Sequence, residues 1–324
     1  MSAVQVDGQL RSDGRLRHLL TLEGLPREVL ERLLDRAQQL HPHAHGGTAL
    51  RGALAGKAVC TLFFEPSTRT RLSFQLAAQR LGADVLNFDA STSSTTKGET
   101  GRDTLKTIEA MGVHAFVVRH KDDGAVAALA AEANPGTVLV NAGDGRSAHP
   151  TQGLLDMLTL RQAKGADFSR LKVLIVGDVK HSRVARSDLQ ALRTLGAGED
   201  RSIEIRICGP QTLLPDDGML TGCKVTQDFD AALEGVDAVM MLRLQRERMQ
   251  EGLVTSLDDY HRDYGLGVER LRRAAPDAVV LHPGPMNRGI EIDDAVADGP
   301  QSRIVQQVGN GVAVRMAVLE ALLG

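Results

Sequence analysis

Six short runs of apolar residues recur along the chain, and between them apolar residues fall every three or four positions. The runs occupy residues 58–64, 115–118, 171–176, 203–208, 238–242 and 278–281. Because most of the runs are continuously apolar rather than alternating, they are typical of parallel strands that helices cover on both faces. The pattern predicts an α/β fold with two doubly wound domains, each with a central, mostly parallel sheet flanked by helices.

The stretch after the first run has clear helix signals. Ser67 or Thr68 is suited to begin a helix, and Gly82 is suited to end it. Between them Leu72, Leu76, Ala77 and Leu81 recur at helical spacing. An earlier helix is predicted from Pro26, placed in its first turn, to Gln39.

A chain of 324 residues is long for one core and suits two domains. Residues 141–147 are rich in Gly, Asp and Ser and separate a further β-run from a helical pattern that begins near Thr151, so we predict the hinge there. The first domain then covers residues 1–150 and the second covers residues 151–302. We expect a C-terminal helix, about residues 303–324, to pack back on the first domain, and we expect chemistry in the cleft between the domains.

Composition narrows the class of protein. The formal net charge is -3, aromatic residues make up 3% and tryptophan is absent, which argues against a nucleic-acid partner. The first residues contain no signal-peptide pattern, and no apolar run approaches the roughly 20 residues of a membrane span. Cys60, Cys208 and Cys223 are far apart and contain no CxxC pair. We therefore predict a cytoplasmic protein without a membrane partner.

Ligands of parallel sheets bind beyond the carboxyl ends of the strands, where the following helices begin. The first run leads into Pro66-Ser67-Thr68-Arg69-Thr70-Arg71. A helix that begins here offers backbone N–H groups, hydroxyls and guanidiniums, a combination that suits a phosphate dianion. The sequence therefore predicts a phosphate site at this helix N-terminus.

The residues that directly follow the other apolar runs are mainly arginine, histidine, glutamine and residues with hydroxyl side chains. The residues singled out there are Arg119, His149, Gln152, Arg183 and Arg243. His149 and Gln152 are three residues apart and would project from one face at the start of a helix. Arg183 and Arg243 suit carboxylates, so we predict that an anionic donor and an anionic acceptor are brought together. The glycines of a dinucleotide site are missing after residue 177, and no metal-ligand set is found, so no cofactor is expected.

Two further segments allow alternative interpretations. A carboxylate beside a phosphate site requires a cation, so we hypothesise that Glu65 pairs with Arg183 or Arg248 when the domains close. Residues 41–45, His-Pro-His-Ala-His, could be taken for a metal site. Because no carboxylate or cysteine lies nearby and two glycines follow, we favour a polar connection from a helix to a loop.

Five separate motifs resemble those of the transcarbamoylase family. Residues 63–71 resemble its carbamoyl phosphate signature, and His149-Pro150-Thr151-Gln152 resembles its second signature. Residues 97–100, 243–248 and 282–289 resemble the branch of the family that uses aspartate. The resemblance runs in consistent order from about Leu19 to the C-terminal helix, and five agreeing motifs make it specific.

The resemblance implies transfer of the carbamoyl group of carbamoyl phosphate to the amino group of L-aspartate, in pyrimidine biosynthesis. It assigns the phosphate to Ser67, Thr68, Arg69 and Thr70, and the carbonyl oxygen to Thr70, Arg119 and His149. It assigns the carbamoyl amino group to Gln152 and backbone contacts to Gly284-Pro285. It assigns the aspartate carboxylates to Arg183, Arg243 and Gln245.

The polar loop at residues 91–100 has a composition that would fit a solvated loop equally well. In the family this loop enters the active site of a neighbouring subunit of a homotrimer. The resemblance therefore implies that Ser93 and Lys97 complete a shared active site, with Lys97 acting in catalysis and aspartate binding.

Two alternative functions remain open at this point. An ornithine-using member of the family shares the first two signatures, although it typically has His-Cys-Leu-Pro where this chain has His282-Pro283-Gly284-Pro285. An inactive homologue could instead act as a scaffold for dihydroorotase. The site arginines favour an acceptor with two carboxylates, and regulatory chains or dihydroorotase are considered as partners in a larger assembly.

Overall fold

The computed structural model describes residues 8–46, 50–89, 98–244 and 256–324. The chain divides into two compact units. The N-terminal unit contains the residues up to Leu158 together with Gly309–Gly324, and the C-terminal unit is Thr159–Val308. Within the described ranges, no helix is long and apolar enough to cross a membrane. The predicted fold, with two parallel-sheet domains and a C-terminal helix that returns to the first, is confirmed.

The N-terminal unit is built on a four-stranded parallel sheet with the strand order β2-β1-β3-β4. Its elements are α1 (Arg27–Ala44), β1 (Ala58–Phe63), α2 (Thr68–Leu81), β2 (Asp84–Asp89), α3 (Gly101–Glu109), β3 (Ala115–His120), α4 (Ala125–Glu132), β4 (Val138–Asp144) and the first part of α5 (Pro150–Lys164).

The C-terminal unit is built on a five-stranded parallel sheet with the strand order β7-β6-β5-β8-β9. Its elements are β5 (Lys172–Val176), α6 (Arg183–Leu195), β6 (Glu204–Cys208), β7 (Lys224–Thr226), α7 (Phe229–Leu233), β8 (Ala238–Met241), α8 (Leu257–Tyr264), α9 (Val268–Leu271), β9 (Val279–Leu281), α10 (Asp294–Ala297) and the first residues of α11 (Ile304–Leu323).

In each sheet, successive strands of the chain are placed first on one side of the initial strand and then on the other. In the N-terminal unit β2 is added on one side of β1, and β3 and β4 are added on the other. In the C-terminal unit β6 and β7 lie on one side of β5, and β8 and β9 lie on the other. At such a switch point the connections from two neighbouring strands leave in opposite directions, which opens a crevice at the carboxyl edge of the sheet.

Helix α2 begins and ends where the sequence indicated. Ser67 has an extended backbone at the N-cap, and Gly82 ends the helix in the left-handed conformation, with a φ of 86°. A Cβ atom on Gly82 would lie 1.8 Å from the backbone oxygen of Arg51, so glycine is required there. Leu72 and Leu76, two of the apolar residues at helical spacing, are 58% and 37% exposed.

The core-facing side of α2 consists of Phe74, Ala77, Ala78 and Leu81 instead. Helix α1 also differs slightly from its prediction. Pro26 lies at the N-cap, just before the helix, and the helix continues through Pro42 to Ala44. Residues 41–44 form the last turn of α1, and the chain leaves the helix at His45, whose tilted ring lies 4.2 Å from the ring of His41 between centroids.

The segment predicted as a hinge lies within the N-terminal unit. Strand β4 runs through it to Asp144, and the Asn141 amide donates to Leu20 O and to Asp144 Oδ1, each at 2.9 Å. These buried hydrogen bonds explain why polar residues stand inside a strand. The compact units divide after Leu158, inside α5, whereas the sequence placed the boundary at residue 150.

Two strands, β2 and β7, were not predicted. Each lies at one of the two edges of its sheet, and β7 has only three residues. Leu86 in β2 is 36% exposed and Val225 in β7 is 47% exposed. An edge strand is covered less completely by the rest of the protein, so it does not need a continuous apolar run. Strands of this kind are therefore not recognised from apolar runs in the sequence.

The chain before α1 is attached to the edge of β4. Leu19 N donates to Leu139 O at 2.9 Å, and Asn141 N donates to Leu19 O at 2.8 Å. Leu139 N also donates to His18 Nδ1 at 3.0 Å, which requires a ring nitrogen without a proton. Burial, with smaller contributions from Arg17 and Arg11, lowers the pKa of His18 from 6.5 to about 4. The ring is therefore neutral at physiological pH.

We predict that His18→Asn reduces the loss of stability in mild acid. The unfolded chain protonates His18 below pH 6.5 and the folded chain only below about 4, so the stabilisation is complete above pH 6.5 and is lost as the pH falls to 4. The shift corresponds to about 3 kcal/mol. Asparagine retains an acceptor for Leu139 N without this titration. Urea unfolding at pH 7.5 and pH 4.5 should show a smaller midpoint difference in the variant; equal differences would contradict the prediction.

Candidate active site

The exits of β1, β3 and β4 lie side by side at one edge of the N-terminal unit, because these strands are parallel neighbours. Thr70 is in the first turn after β1, Arg119 is at the end of β3, and His149 follows β4 directly before α5. Sequence analysis had selected these residues from separate motifs. The fold brings their chain segments to the same edge.

The N-terminus of α2 has the character of an anion site. Ser67 makes no capping hydrogen bond with its side chain, and the first turn contains no acidic residue. Thr68 and Arg69 are exposed, Ser67 is half-buried and Thr70 is 7% exposed. The first backbone N–H groups of a helix have no partner within the helix, and the helix dipole adds positive potential. A phosphate group fits this combination.

Arg119 is held by groups from both neighbouring strands. Its Nη2 lies 3.2 Å from Glu65 Oε1, and its Nη1 donates to Ala142 O at 3.2 Å. The pairing of β3 with β4 changes register between Val118 and His120, and this irregularity contains Arg119. Such irregularities redirect side chains at the edges of sheets. Few conformations remain open to the guanidinium.

The hypothesis for Glu65 named Arg183 or Arg248 as its partner when the domains close; Arg248 lies outside the described residues, and that pairing stays a prediction. In this structure Glu65 pairs with Arg119 of the same unit. The two side chains are 21% and 12% exposed, respectively, so solvent screens the pair only partly. The sequence could not indicate this pair, because it depends on β1 and β3 being neighbours.

His149 and Gln152 are placed by the start of α5. The amides of Gln152 and Gly153 donate to His149 O at 2.9 and 3.2 Å, so His149 begins the helix and Gln152 lies in its first turn. Both are nearly buried, with exposures of 5% and 8%. Gln152 Nε2 donates to Asp156 Oδ1 at 2.9 Å. Sequence analysis did not select Asp156, although its spacing of four residues from Gln152 was a usable signal.

In the C-terminal unit, the loop after β5 is fixed by Asp178. Its Oδ1 accepts hydrogen bonds from His181 N at 3.2 Å and pairs with His181 Nδ1 at 2.8 Å. Ser182 then caps α6 by accepting from Ala185 N at 3.1 Å, which makes Arg183 the first residue of that helix. Arg183 is 6% exposed.

The same loop requires Gly177 at its start. Gly177 has a φ of 120°, and a Cβ there would lie 2.9 Å from the Tyr260 hydroxyl. Other residues rarely adopt this backbone conformation, and the side chain would have no room. The sequence contained too few glycines here for a dinucleotide site. The conformation of the loop explains why Gly177 is nevertheless a glycine.

The loops after β8 and β9 are joined through Asn287. Arg243 is half-buried directly after β8, and the next residue, Leu244, accepts a hydrogen bond from Asn287 Nδ2 at 3.3 Å. The same Nδ2 donates to Glu291 Oε2 at 3.1 Å. The segment of Gly284 and Pro285 lies between His282 and Asn287, and these contacts fix it at both ends.

His282 and Glu291 form a fully buried pair, with side chains 0% exposed. Gly284 N donates to His282 Nδ1 at 2.8 Å, so that nitrogen carries no proton. The proton is on Nε2, which donates to Glu291 Oε1 at 3.1 Å. A neutral imidazole therefore connects the turn at residues 282–284 to a buried carboxylate. Sequence analysis missed Glu291, which no short motif contains.

Three predicted site residues fall outside the described ranges. These are Ser93 and Lys97 in the loop after β2, and Gln245 after β8. Their assignments stay predictions.

Two family models match consecutive parts of the chain. The model described as aspartate/ornithine carbamoyltransferase, carbamoyl-P binding domain, matches residues 17–162. The model described as aspartate/ornithine carbamoyltransferase, Asp/Orn binding domain, matches residues 169–322.

Individual proteins resemble the chain over nearly its full length. A protein of Xanthomonas axonopodis pv. citri named aspartate carbamoyltransferase catalytic subunit is 77% identical over 98% of this chain and 99% of its own. Aspartate transcarbamoylase from Trypanosoma cruzi, solved with carbamoyl phosphate and aspartate, has a TM-score of 0.84 and 28% identity, covering 98% of this chain and 100% of its own. Ornithine carbamoyltransferase from Thermus thermophilus has a TM-score of 0.81 and 30% identity, covering 95% of this chain and 99% of its own.

We predict that inorganic phosphate binds at the N-terminus of α2 and that Arg69→Gln weakens this binding. Loss of a hydrogen bond to a charged group costs about 1.5–3 kcal/mol, so the dissociation constant should rise roughly tenfold or more. Arg80→Gln removes the same charge from the last turn of the same helix and is the matched control. Isothermal titration calorimetry would measure both. Equal phosphate affinity in the two variants would show that the helix N-terminus is not the phosphate site.

Proposed function

Because this chain belongs to the aspartate/ornithine carbamoyltransferase family, we propose that it transfers the carbamoyl group of carbamoyl phosphate to L-aspartate. The products are N-carbamoyl-L-aspartate and phosphate, in the biosynthesis of pyrimidines. The name of the Xanthomonas relative states this activity, and that relative is 77% identical to the chain. The enzyme class expected from the sequence motifs is confirmed.

One observation carries the assignment of the donor site. A helix N-terminus without acidic residues and the fixed guanidinium of Arg119 share the carboxyl edge of β1 and β3. We assign the phosphate to Ser67, Thr68, Arg69 and Thr70, with the carbonyl oxygen beside Thr70, Arg119 and His149. Donors fixed before the reaction stabilise a developing oxyanion without reorganisation, and each contributes roughly 3–4 kcal/mol in other enzymes.

The chemistry requires few other groups. Carbamoyl phosphate is a mixed anhydride, so the aspartate amine attacks its carbonyl carbon directly, and the oxyanion forms on the carbonyl oxygen. The bond from that carbon to the phosphate oxygen then breaks. The leaving phosphate accepts the proton from the amine, which removes the need for a separate general base. His149 acts here as a neutral hydrogen-bond donor.

Aspartate binding is assigned to basic residues of the C-terminal unit. Arg183, which begins α6, and Arg243, which follows β8, offer planar guanidiniums that match carboxylates. Gln245 and Lys97 complete the acceptor site in this proposal, and the backbone of Gly284 and Pro285 contacts the ligands. The buried network of His282, Asn287 and Glu291 supports the position of that backbone.

The fold alone does not distinguish aspartate from ornithine as the acceptor, because structures of both enzymes match it closely. The relative at 77% identity is an aspartate carbamoyltransferase, whereas the matched ornithine enzyme is 30% identical. An ornithine site needs groups that compensate the positive charge of the ornithine side chain. Arg183 and Arg243 would repel that side chain. The ornithine and scaffold alternatives are therefore not favoured.

The assembly and the compartment are further parts of the proposal. We assign a homotrimer in which Ser93 and Lys97 enter the active site of a neighbouring subunit. Regulatory chains or dihydroorotase in a larger assembly stay predictions from the sequence. Cys60 and Cys208 are buried free thiols, and burial raises the pKa of each to about 12, which suits a protein of the reducing cytoplasm.

The function is tested with purified protein, carbamoyl phosphate and a panel of amino acids that includes aspartate and ornithine. Phosphate release and the carbamoylated product would be followed together. We expect turnover with aspartate and none with ornithine. Turnover with ornithine alone would overturn the acceptor assignment, and release of phosphate without any carbamoylated amino acid would overturn the transfer reaction.

The shared active site predicts complementation between two inactive chains. Lys97→Ala and His149→Ala homotrimers should each lose at least about 99% of activity, in line with the loss of a charged contact or an oxyanion donor. After mixed refolding, hybrid trimers should contain some sites with neither substitution, and activity should return. A preparation of hybrid trimers, verified by ion exchange of tagged chains, that stays inactive would argue against a site contributed by two chains.

A further inference from the structure

Gln152, to which the proposed function assigns the carbamoyl amino group, is bound to a buried carboxylate that has no assigned role. Gln152 and Asp156 are four residues apart on α5, so their side chains lie on the same helix face. Gln152 Nε2 and Asp156 Oδ1 are 2.9 Å apart. The residues are 8% and 1% exposed, so water competes little for this hydrogen bond.

This contact determines which end of the Gln152 amide is available to a ligand. An ionised carboxylate only accepts hydrogen bonds, so the NH₂ end of the amide must face Asp156. The other end carries the carbonyl oxygen Oε1, which accepts no hydrogen bond from the residues that the structure describes. Gln152 is therefore oriented to present an acceptor.

A buried cation favours the ionised form of the Asp156 carboxylate. Arg315 on α11 is 4% exposed, and its guanidinium carbon lies 5.0 Å from the centre of the Phe74 ring. Burial lowers the pKa of Arg315 to about 9, and the charge of Asp156 opposes that shift, so Arg315 is cationic at neutral pH. Without a nearby cation a buried carboxyl group tends to take up a proton. A protonated Asp156 could donate to Gln152 and reverse the amide.

We propose that Asp156 is a positioning residue that sets the choice of donor substrate, by presenting Gln152 Oε1 to the amino group of carbamoyl phosphate. The proposal rests on the function proposed above. Acetyl phosphate has the same phosphate and carbonyl groups but carries a methyl group in place of the amino group. An acceptor directed at this position favours the NH₂ group and is left unsatisfied by the methyl group.

The test compares three ligands in wild type and Asp156→Asn. The readouts are the KM for carbamoyl phosphate and the inhibition constants of acetyl phosphate and inorganic phosphate. Asparagine has the same shape, but its amide offers a donor as well as an acceptor, so Gln152 can turn either end to the ligand. We expect the preference for carbamoyl phosphate over acetyl phosphate to fall roughly tenfold or more. The inhibition constant of phosphate should stay within about threefold, because the N-terminus of α2 is unchanged.

A matched control separates this effect from general damage. Glu109 is also a carboxylate of the N-terminal unit, 8% exposed, and accepts from Asn134 N at 2.8 Å. Glu109→Gln should lose stability without a change in donor preference. A second variant, Gln152→Met, removes the acceptor itself and should lose the preference to the same extent, which keeps the test decisive if Asp156→Asn does not fold.

Three results would overturn the proposal. One is an unchanged preference in Asp156→Asn or in Gln152→Met. Another is an equal weakening of all three ligands, which a merely structural carboxylate would produce. The third is an equal loss of preference in Glu109→Gln. If the wild-type protein formed no carbamoylaspartate, the proposed function would fail instead, so the two failures are distinguishable.

Discussion

The candidate active site depends on one constraint of parallel sheets: the carboxyl ends of all strands lie at the same edge of the sheet. In the N-terminal unit the strand order reverses between β1 and β3, so the residues that follow β1 stand beside the end of β3. Phe64 N donates to Arg119 O at 2.8 Å, which continues the ladder to the last residues of both strands. The Glu65–Arg119 pair then fixes the guanidinium at the end of β3, next to the strand that leads into α2. The proposed phosphate site and the proposed oxyanion donor depend on the same strand pairing.

Buried polar contacts hold the surrounding loops in place in both units. Asp178 fixes the loop before Arg183, and Glu291 fixes the turn at Gly284 through His282. In the N-terminal unit Asp156 holds the amide of Gln152. Each of these carboxylates accepts hydrogen bonds from neighbouring donors. Preorganisation of this kind lets fixed dipoles act on the transition state with little rearrangement.

The sequence indicated much of the fold, for physical reasons that particular residues make clear. Runs of apolar residues predicted β1, β3, β5, β6, β8 and β9, and the pattern from Ser67 to Gly82 predicted α2. The edge strands β2 and β7 lack such runs and were missed. Periodicity placed Leu72 and Leu76 on that helix, where both side chains are exposed. The Glu65–Arg119 and Asp156–Arg315 relationships depend on pairing between distant segments, which one sequence does not contain.

The central claim is that carbamoyl phosphate binds at the carboxyl edge of β1 and β3, and a crystal structure with carbamoyl phosphate bound tests it most directly. The account predicts phosphate oxygens about 3 Å from the backbone nitrogens at the start of α2, and the carbonyl oxygen within the same distance of the Arg119 guanidinium. It also predicts that the carbamoyl amino group donates to Gln152 Oε1. A phosphate bound away from α2, or a carbonyl oxygen out of reach of Arg119, would contradict the account.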